Sequence, residues 1–315
     1  APSGLVMDSV SHYRDQVPFD VGPFRITPFL IDHSAFDAYA LSIEADGKTL
    51  FYTGDFRAHG QKARGFVRLL SQVPKRVDAL LMEGTNIGRS REGAEPTSER
   101  ELEGEILAGL RSTSGLALAW FSGQNIDRFV TFFRAAKRAG RKFVVDLYVA
   151  RILDAIGRSS LPSPRGPDLR VFLPARMRSK VIRDKRFDLV RPYYDRRIYS
   201  EEIRKEASKL VMTFRPVMCR DLEKAACLDG ARLFYSLWPG YLDRGSVDIR
   251  DWCNEHAVEF EIRHTSGHAG VSAMKQLVGA LSPRKLVPIH SFATDRFSEF
   301  FDNVWQADDG EWWEV

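Results

Sequence analysis

Thr53-Gly54-Asp55-Phe56-Arg57-Ala58-His59-Gly60 follows the apolar, aromatic run Thr49-Leu50-Phe51-Tyr52. That run reads as a buried strand, and Gly54 stops it. Asp55 is then presented on the loop beyond the strand, where a carboxylate can reach a cation. A Gly-Asp pair alone is more often a simple turn. Its weight comes from three companions that also sit at strand ends: Asp32-His33-Ser34, Ser266-Gly267-His268-Ala269 and Val287-Pro288-Ile289-His290.

Working outward, residues 24–29 alternate apolar and polar side chains as a half-buried strand does. Residues 39–44 form the next strand. Asp46-Gly47 is a strong hairpin signal, so the strand over 49–53 returns beside it. The first 55 residues are therefore a β-meander with His33 and Asp55 at strand ends. Residues 77–82 read as another buried strand, ending at Glu83-Gly84-Thr85-Asn86. Ser98 and Glu101 fit a capping box, which starts a helix towards Leu110.

The pattern changes after residue 113. An apolar strand over 116–121 leads to the turn Ser122-Gly123-Gln124, with Asn125 as N-cap. Ile126, Phe129, Val130 and Phe133 then recur at helical spacing, and Gly140 closes the helix. The strand over 142–147 completes a β-α-β unit, which predicts parallel strands. Further strands are expected at 170–173, 210–214 and 232–236. From Trp238 onward the chain is read as returning to the first layer. That part comprises a helix over 246–256 capped by Ser246, a strand over 258–264, a helix over 271–281, a strand over 286–289 and a short edge strand over 310–315. The expected division is a first part over 1–113, an inserted α/β domain over 114–236 and a closing part over 237–315.

With 44% hydrophobic and 28% charged residues in 315, the composition is that of a soluble globular protein of one large or two ordinary domains. No apolar run approaches the roughly 20 residues of a membrane span. No basic, apolar leader is visible at Ala1-Pro2-Ser3-Gly4. Cys219, Cys227 and Cys253 are odd in number and lack metal-type spacing, which predicts buried thiols in a reducing, cytoplasmic setting. A net charge of +4 permits an acidic substrate without requiring one.

His33, Asp55 and His290 are suitable zinc ligand types, and ligands on different strand ends converge when those ends share one edge of a sheet. Three unrelated polar residues in turns would give the same pattern. His264 and His268 are four apart, but Thr265-Ser266-Gly267 is a poor helix interior, so a helical metal pair is rejected. Ser122 lacks a G-x-S-x-G frame and reads as a turn rather than a nucleophile. Glu83 suits a carboxylate that hydrogen-bonds a ligand histidine; a solvated loop acid is the alternative. Residues 165–205 hold thirteen Lys and Arg against six Asp and Glu, with Phe172, Phe187, Tyr193, Tyr194 and Tyr199 interleaved. Such a segment can track phosphates and stack bases, or simply be a solvated basic face.

Taken together, DHS at 32–34, TGDF at 53–56, EGTN at 83–86, SGHA at 266–269 and PIH at 288–290 resemble the metallo-β-lactamase superfamily. The closest resemblance is to its β-CASP branch, the ribonuclease J-like and pre-mRNA 3′-end endonuclease-like enzymes. Ser122-Gly123-Gln124-Asn125-Ile126-Asp127-Arg128 looks like the opening of the inserted β-CASP domain. The resemblance implies an α/β fold: a metallo-β-lactamase-like αββα sandwich with an inserted α/β domain. It implies that His33, Asp55 and His290 hold zinc, with Asp55 bridging two ions. It also implies that Glu83 and His268 join Asp55 in the catalytic set, and that the reaction is metal-assisted phosphodiester hydrolysis. Ser122, Asn125, Arg176, Arg178 and Lys180 are the candidate substrate contacts.

The family's main metal motif, H-x-H-x-D-H, should lie upstream of His33, where only His12 occurs. The sandwich is therefore expected to be N-terminally incomplete, with one zinc or none in this chain alone. Ser291-Phe292 also stands where related enzymes have Gly-Glu. The leading expectation is a zinc-dependent nuclease acting on RNA, as a fragment or degenerate chain. Its partners would be nucleic acid and a separate N-terminal fragment or a second copy meeting the segment around 24–30, with no membrane. The competing readings are a non-catalytic nucleic-acid-binding or scaffold protein, and a hydrolase of a small ester or thioester.

Overall fold

Alternation of apolar side chains in the first part of the chain, and helical spacing in the middle, produce two different sheets. They are described by a computed structural model covering residues 11, 12, 14–89, 95–244 and 248–315. The first unit comprises the described residues of 1–33, 37–96 and 267–315, and the second comprises 34–36 and 97–266.

In the first unit, β1 (Phe19–Val21), β2 (Phe24–Leu30), β3 (Tyr39–Ala45) and β4 (Lys48–Tyr52) form the antiparallel meander. Asp46 and Gly47 have φ of 49° and 74°, the left-handed pair that a two-residue hairpin of this twist requires. Helix α1 (Ala63–Gln72) carries the chain to β5 (Ala79–Glu83), which pairs parallel with β4. After the second unit, α9 (Val271–Leu281) and β13 (Lys285–Ile289) complete this unit, and β13 pairs parallel with β5. The sheet order is β1-β2-β3-β4-β5-β13. Strands β2, β4, β5 and β13 thus point one way and end on one edge, because two antiparallel steps restore direction.

One sheet face is packed by α1 and α9 around Phe29, Phe51, Phe66, Leu80, Leu277 and Leu286. Ile26, Ile43 and Leu50 lie in register on the other face, as do Leu41, Tyr52 and Leu81. These residues are only half-buried, and Tyr52 is 38% exposed. The outer side of β2 is not open as the sequence reading expected. Strand β1 pairs with it, Gln16 N donates to Pro28 O (2.7 Å) and Leu30 N donates to Asp15 Oδ1 (2.7 Å).

The second unit contains β6 (Ala117–Trp120), β7 (Lys142–Asp146), β8 (Leu169–Phe172), β9 (Arg197–Ile198), β10 (Leu210–Thr213), β11 (Arg232–Tyr235) and β12 (Glu259–Ile262). They form a wholly parallel sheet in the order β12-β11-β6-β10-β7-β8-β9. Strands β6 and β7 are parallel as predicted, but β10 lies between them. On one face pack α2 (Glu99–Ser112), α3 (Ile126–Arg138), α4 (Leu147–Ile156) and α5 (Ala175–Arg183). On the other lie α6 (Ser200–Glu206), α7 (Cys219–Ala225) and α8 (Ile249–Glu255). Helices on both faces are what a parallel sheet needs to bury its continuous apolar strands.

Three sequence expectations are corrected. The second unit extends beyond 114–236. Strand β12 pairs with β11, and the wholly buried Arg128 guanidinium donates to Glu99 and to Ser236 O (3.0 Å) and Thr265 O (3.2 Å). A buried cation must satisfy its donors, and doing so ties 97–113 and 237–266 into this unit. Helix α8 is capped by Asp248, whose side chain accepts from Arg250 N and Asp251 N, while Ser246 lies outside the described residues. Residues 310–315 form no strand, and Trp312 is 98% exposed; the only described pairing near that end is Leu286 with Val304.

Candidate metal centre

The shared strand edge gathers the predicted residues. Asp55 lies three residues beyond β4, Glu83 ends β5, and His290 follows β13, whose Ile289 is in register with Glu83. Gly84 is forced to be glycine here, since a Cβ would come within 2.2 Å of the Phe297 ring. His33 follows β2, and His268 sits on the loop before α9.

Glu83 is the organiser. Its side chain is buried, and Oε1 accepts from Phe56 N and Ala269 N (both 3.2 Å). Oε2 accepts from Thr85 N at 3.1 Å. His268 Nδ1 stands 3.3 Å from the same carboxylate. Glu83 is therefore not a solvated loop acid: it is buried, with a histidine within hydrogen-bond distance of its carboxylate. A carboxylate at this distance from Nδ1 fixes the orientation of the His268 ring. Asn86 holds the same loop, with Nδ2 donating to His268 O (2.8 Å) and Ala269 O (3.1 Å).

Asp55 Oδ1 is 2.7 Å from His290 Nδ1. The His290 backbone has φ of 49°, a left-handed conformation costly for a residue with a side chain. Thr85 Oγ1 donates to His290 O at 3.1 Å and helps hold it there. Asp55, His268 and His290 each offer a donor atom within 4.8 Å of the others. The His268 and His290 rings are 5.3 Å apart. Two nitrogens and one carboxylate oxygen suit a borderline cation such as zinc, so this donor set fits the group that the resemblance implies.

His33 is placed differently from expectation. It is not one of these three donors, and His268 takes that place. The His33 ring is 6.2 Å from that of His268, and its Nδ1 faces Gly267 O at 3.1 Å. Burial pushes the His33 pKa below its ordinary value, although Asp55 and the Gly267 carbonyl oppose this. Burial would also lower His268, but the Glu83 hydrogen bond and charge, with Asp55, outweigh it and the pKa is raised. The two imidazoles are thus driven apart in basicity by their neighbours.

Beneath the site, Asp32 and Arg57 form a fully buried ion pair, and Gly60 N donates to Asp32 Oδ2 at 2.8 Å. A Cβ on Gly60 would lie 2.3 Å from Asp32 Oδ1, so that loop can close only with glycine. Asp32, Arg57, Thr85 and Asn86 stand in stretches that the sequence singles out, but their roles are not legible there, because nothing in their spacing marks a long-range contact. Phe292, two residues past His290, is 95% exposed, with the Arg89 guanidinium 5.1 Å from its ring centre.

The other candidates lie in the second unit. Asn125 caps α3, its Oδ1 accepting from Arg128 N at 2.8 Å. Ser122 is exposed in the turn before it. Arg176, Arg178 and Lys180 are exposed on α5, as a phosphate-tracking role requires. No helix among the described residues is long and apolar enough to cross a membrane.

Neither a family model nor a curated protein matches the chain. Its fold is similar to that of 92 solved chains. One is a protein of unknown function from Enterococcus faecalis V583, 18% identical, with a TM-score of 0.72 over 97% of this chain and 67% of that one. At that identity the likeness is one of fold alone, and it agrees with the α/β architecture.

Proposed function

We propose that this chain is of the metallo-β-lactamase type, β-CASP branch, and that its first unit carries a metal-dependent hydrolytic centre for phosphodiesters, RNA above all. The observation that supports it most is the gathering of Asp55, His268 and His290 around buried Glu83 at one sheet edge. Asp55, His268 and His290 would hold the ion. When bound, it would supply Lewis-acid stabilisation of charge on a phosphoryl oxygen. Glu83 and Asn86 fix the ring and backbone of His268, Thr85 fixes His290, and His33 stands beside His268 as a weakly basic imidazole. Phe292 beside Arg89 offers an exposed aromatic face on which a base can stack. The exposed cations of α5 supply phosphate contacts in the second unit.

The test is hydrolysis of an end-labelled single-stranded RNA, with DNA of the same sequence and a small ester as comparison substrates. Zinc would be added, and Asp55→Asn and His290→Ala would be run beside the parent chain. The reading expects zinc-dependent RNA cleavage that both variants lose. RNA binding without cleavage at any zinc level would favour the non-catalytic binding reading.

A further inference from the structure

We propose that the second unit carries a ligand site of its own, a groove at the carboxyl ends of β7, β8 and β10 that takes a nucleoside monophosphate. This goes beyond the metal centre and does not depend on it.

Strands β7 and β10 are neighbours, but their following helices leave to opposite faces: α4 packs into one core and α7 into the other. Where adjacent parallel strands diverge in this way, a crevice opens at their carboxyl ends, and this is where open α/β sheets bind ligands. The crevice is present here as a groove of about 340 Å³, at the small end of the ligand-pocket range. Tyr148, Met177 and Val217 line it with apolar surface, and Arg176, Lys180 and Arg215 line it with positive charge.

The groove is built around Arg215. Its Nε donates to Asp146 Oδ2 at 2.5 Å, and its guanidinium lies 5.0 Å from the centre of the Tyr148 ring. Asp146 is otherwise spent on capping α4, its Oδ1 accepting from Val149 N at 2.7 Å. Arg215 Nη2 is buried and has no hydrogen-bond partner among the described residues. Buried donors are rarely left unpaired in native proteins, so this nitrogen keeps hydrogen-bonding capacity that an anion can use. Gly123 packs against the same two side chains: a Cβ there would come within 2.8 Å of the Tyr148 ring and 2.9 Å of Arg215 Nη2, so any larger residue must displace them.

The chemistry of the ligand follows from the lining. Three cations face one carboxylate that is already paired, which calls for an anion. Arginine and lysine together suit phosphate. Tyr148 is still 42% exposed, and with Met177 it offers a surface for a planar ring. A phosphate on a ring system of mononucleotide size satisfies both features. It could be a free nucleotide or the end of a nucleic-acid strand.

The experiment is calorimetric titration of the full chain with AMP and UMP, beside adenosine, inorganic phosphate and a short 5′-phosphorylated oligonucleotide. We expect saturable binding of the monophosphates, at least about tenfold tighter than adenosine or phosphate alone, as loss of one charge-assisted contact implies. Arg176→Glu with Lys180→Glu, both on the surface, should weaken it by a similar factor or more with the thermal midpoint unchanged. Gly123→Ala should weaken it independently by displacing Tyr148 and Arg215. His290→Ala should leave it intact. A free nucleotide predicts equal affinity for AMP and the oligonucleotide; a strand end predicts tighter oligonucleotide binding that the same charge reversals reduce. Nucleotide binding no tighter than adenosine or phosphate, binding that survives the double charge reversal, or loss of binding in His290→Ala would each overturn the assignment.

Discussion

Replacing Glu83 by Gln changes one oxygen into an NH2 group and alters the side-chain volume little. In the parent chain the carboxylate accepts three backbone N–H groups, from Phe56, Ala269 and Thr85, and faces His268. The best placement of the amide keeps its oxygen at Oε1, where two backbone donors converge. Its NH2 then faces Thr85 N, donor against donor, at a site that is 1% exposed. One buried N–H without an acceptor costs about 1–3 kcal/mol, and the charge assistance of the remaining bonds is lost as well. Glu83→Gln should therefore destabilise by about 2–4 kcal/mol, and Glu83→Ala, which orphans all three donors, by about 3–5 kcal/mol. Urea unfolding of the metal-free chain, followed by fluorescence, reads this as a lower midpoint at constant slope. Asp55→Asn is the control, because Asp55 is 37% exposed in its side chain and no backbone donor to it is seen among the described residues. That variant should move the midpoint by less than about 0.5 kcal/mol. A Glu83→Gln midpoint within error of Asp55→Asn would refute the argument, since Glu83 would then not be holding the Phe56, Thr85 and Ala269 loops together.

Other expectations follow from the same geometry. Three donors hold an ion weakly, so elemental analysis after dialysis against a mild chelator should find less than one zinc per chain; two would sink this. Protonated His268 stabilises the metal-free fold fully below its ordinary value of 6.5, and that contribution is lost as pH rises through the raised folded value. An ion needs the neutral ring, so zinc retention should instead fall as pH drops through that window; retention independent of pH between 5 and 8 would remove His268 from the ligands. Charge reversal at Arg176, Arg178 and Lys180 together should weaken single-stranded RNA binding and flatten its salt dependence; unchanged affinity would place the contact elsewhere. The half-buried apolar face of the first sheet, with Leu41, Ile43, Leu50 and Tyr52, should bind a hydrophobic dye or drive self-association seen by light scattering. A monodisperse, dye-silent monomer of 35.8 kDa would show that this face is satisfied within the chain.

What the sequence reveals about the first unit is its local punctuation. Asp46-Gly47 specifies a hairpin by its own backbone preference, and that turn makes β3 and β4 antiparallel neighbours. Gly54 and Gly84 mark where strands stop and where Asp55 and Glu83 emerge. Strand direction then follows, and with it the shared edge on which His33, Asp55, Glu83 and His290 lie. The ranking of His33 and His268 was not legible in this way. It depends on how the loop around 266–269 is drawn back by Asn86 and Glu83, residues about 180 positions upstream. The boundary of the second unit was hidden for the same reason. Glu99, Arg128, Ser236 and Thr265 look like ordinary polar residues until Arg128 is seen to be wholly buried among them.

The centre separates two tasks that many sites combine in one residue. The acceptor that fixes the loops, Glu83, is buried and offers nothing to solvent. Asp55 and His290 are 37% and 55% exposed in their side chains, while His268 is 23% exposed and stands between them and Glu83. A buried acceptor keeps its geometry because every donor around it would otherwise be unsatisfied. Exposed donors lose little stability when altered, so the chemistry at the edge can change while the frame persists. By that reasoning the frame constrains function less than the rim does. Under the proposed function, substitutions at Asp55, His290 or Phe292 should redirect or abolish activity in a chain that still folds, whereas substitutions at Glu83 should be felt first as lost stability.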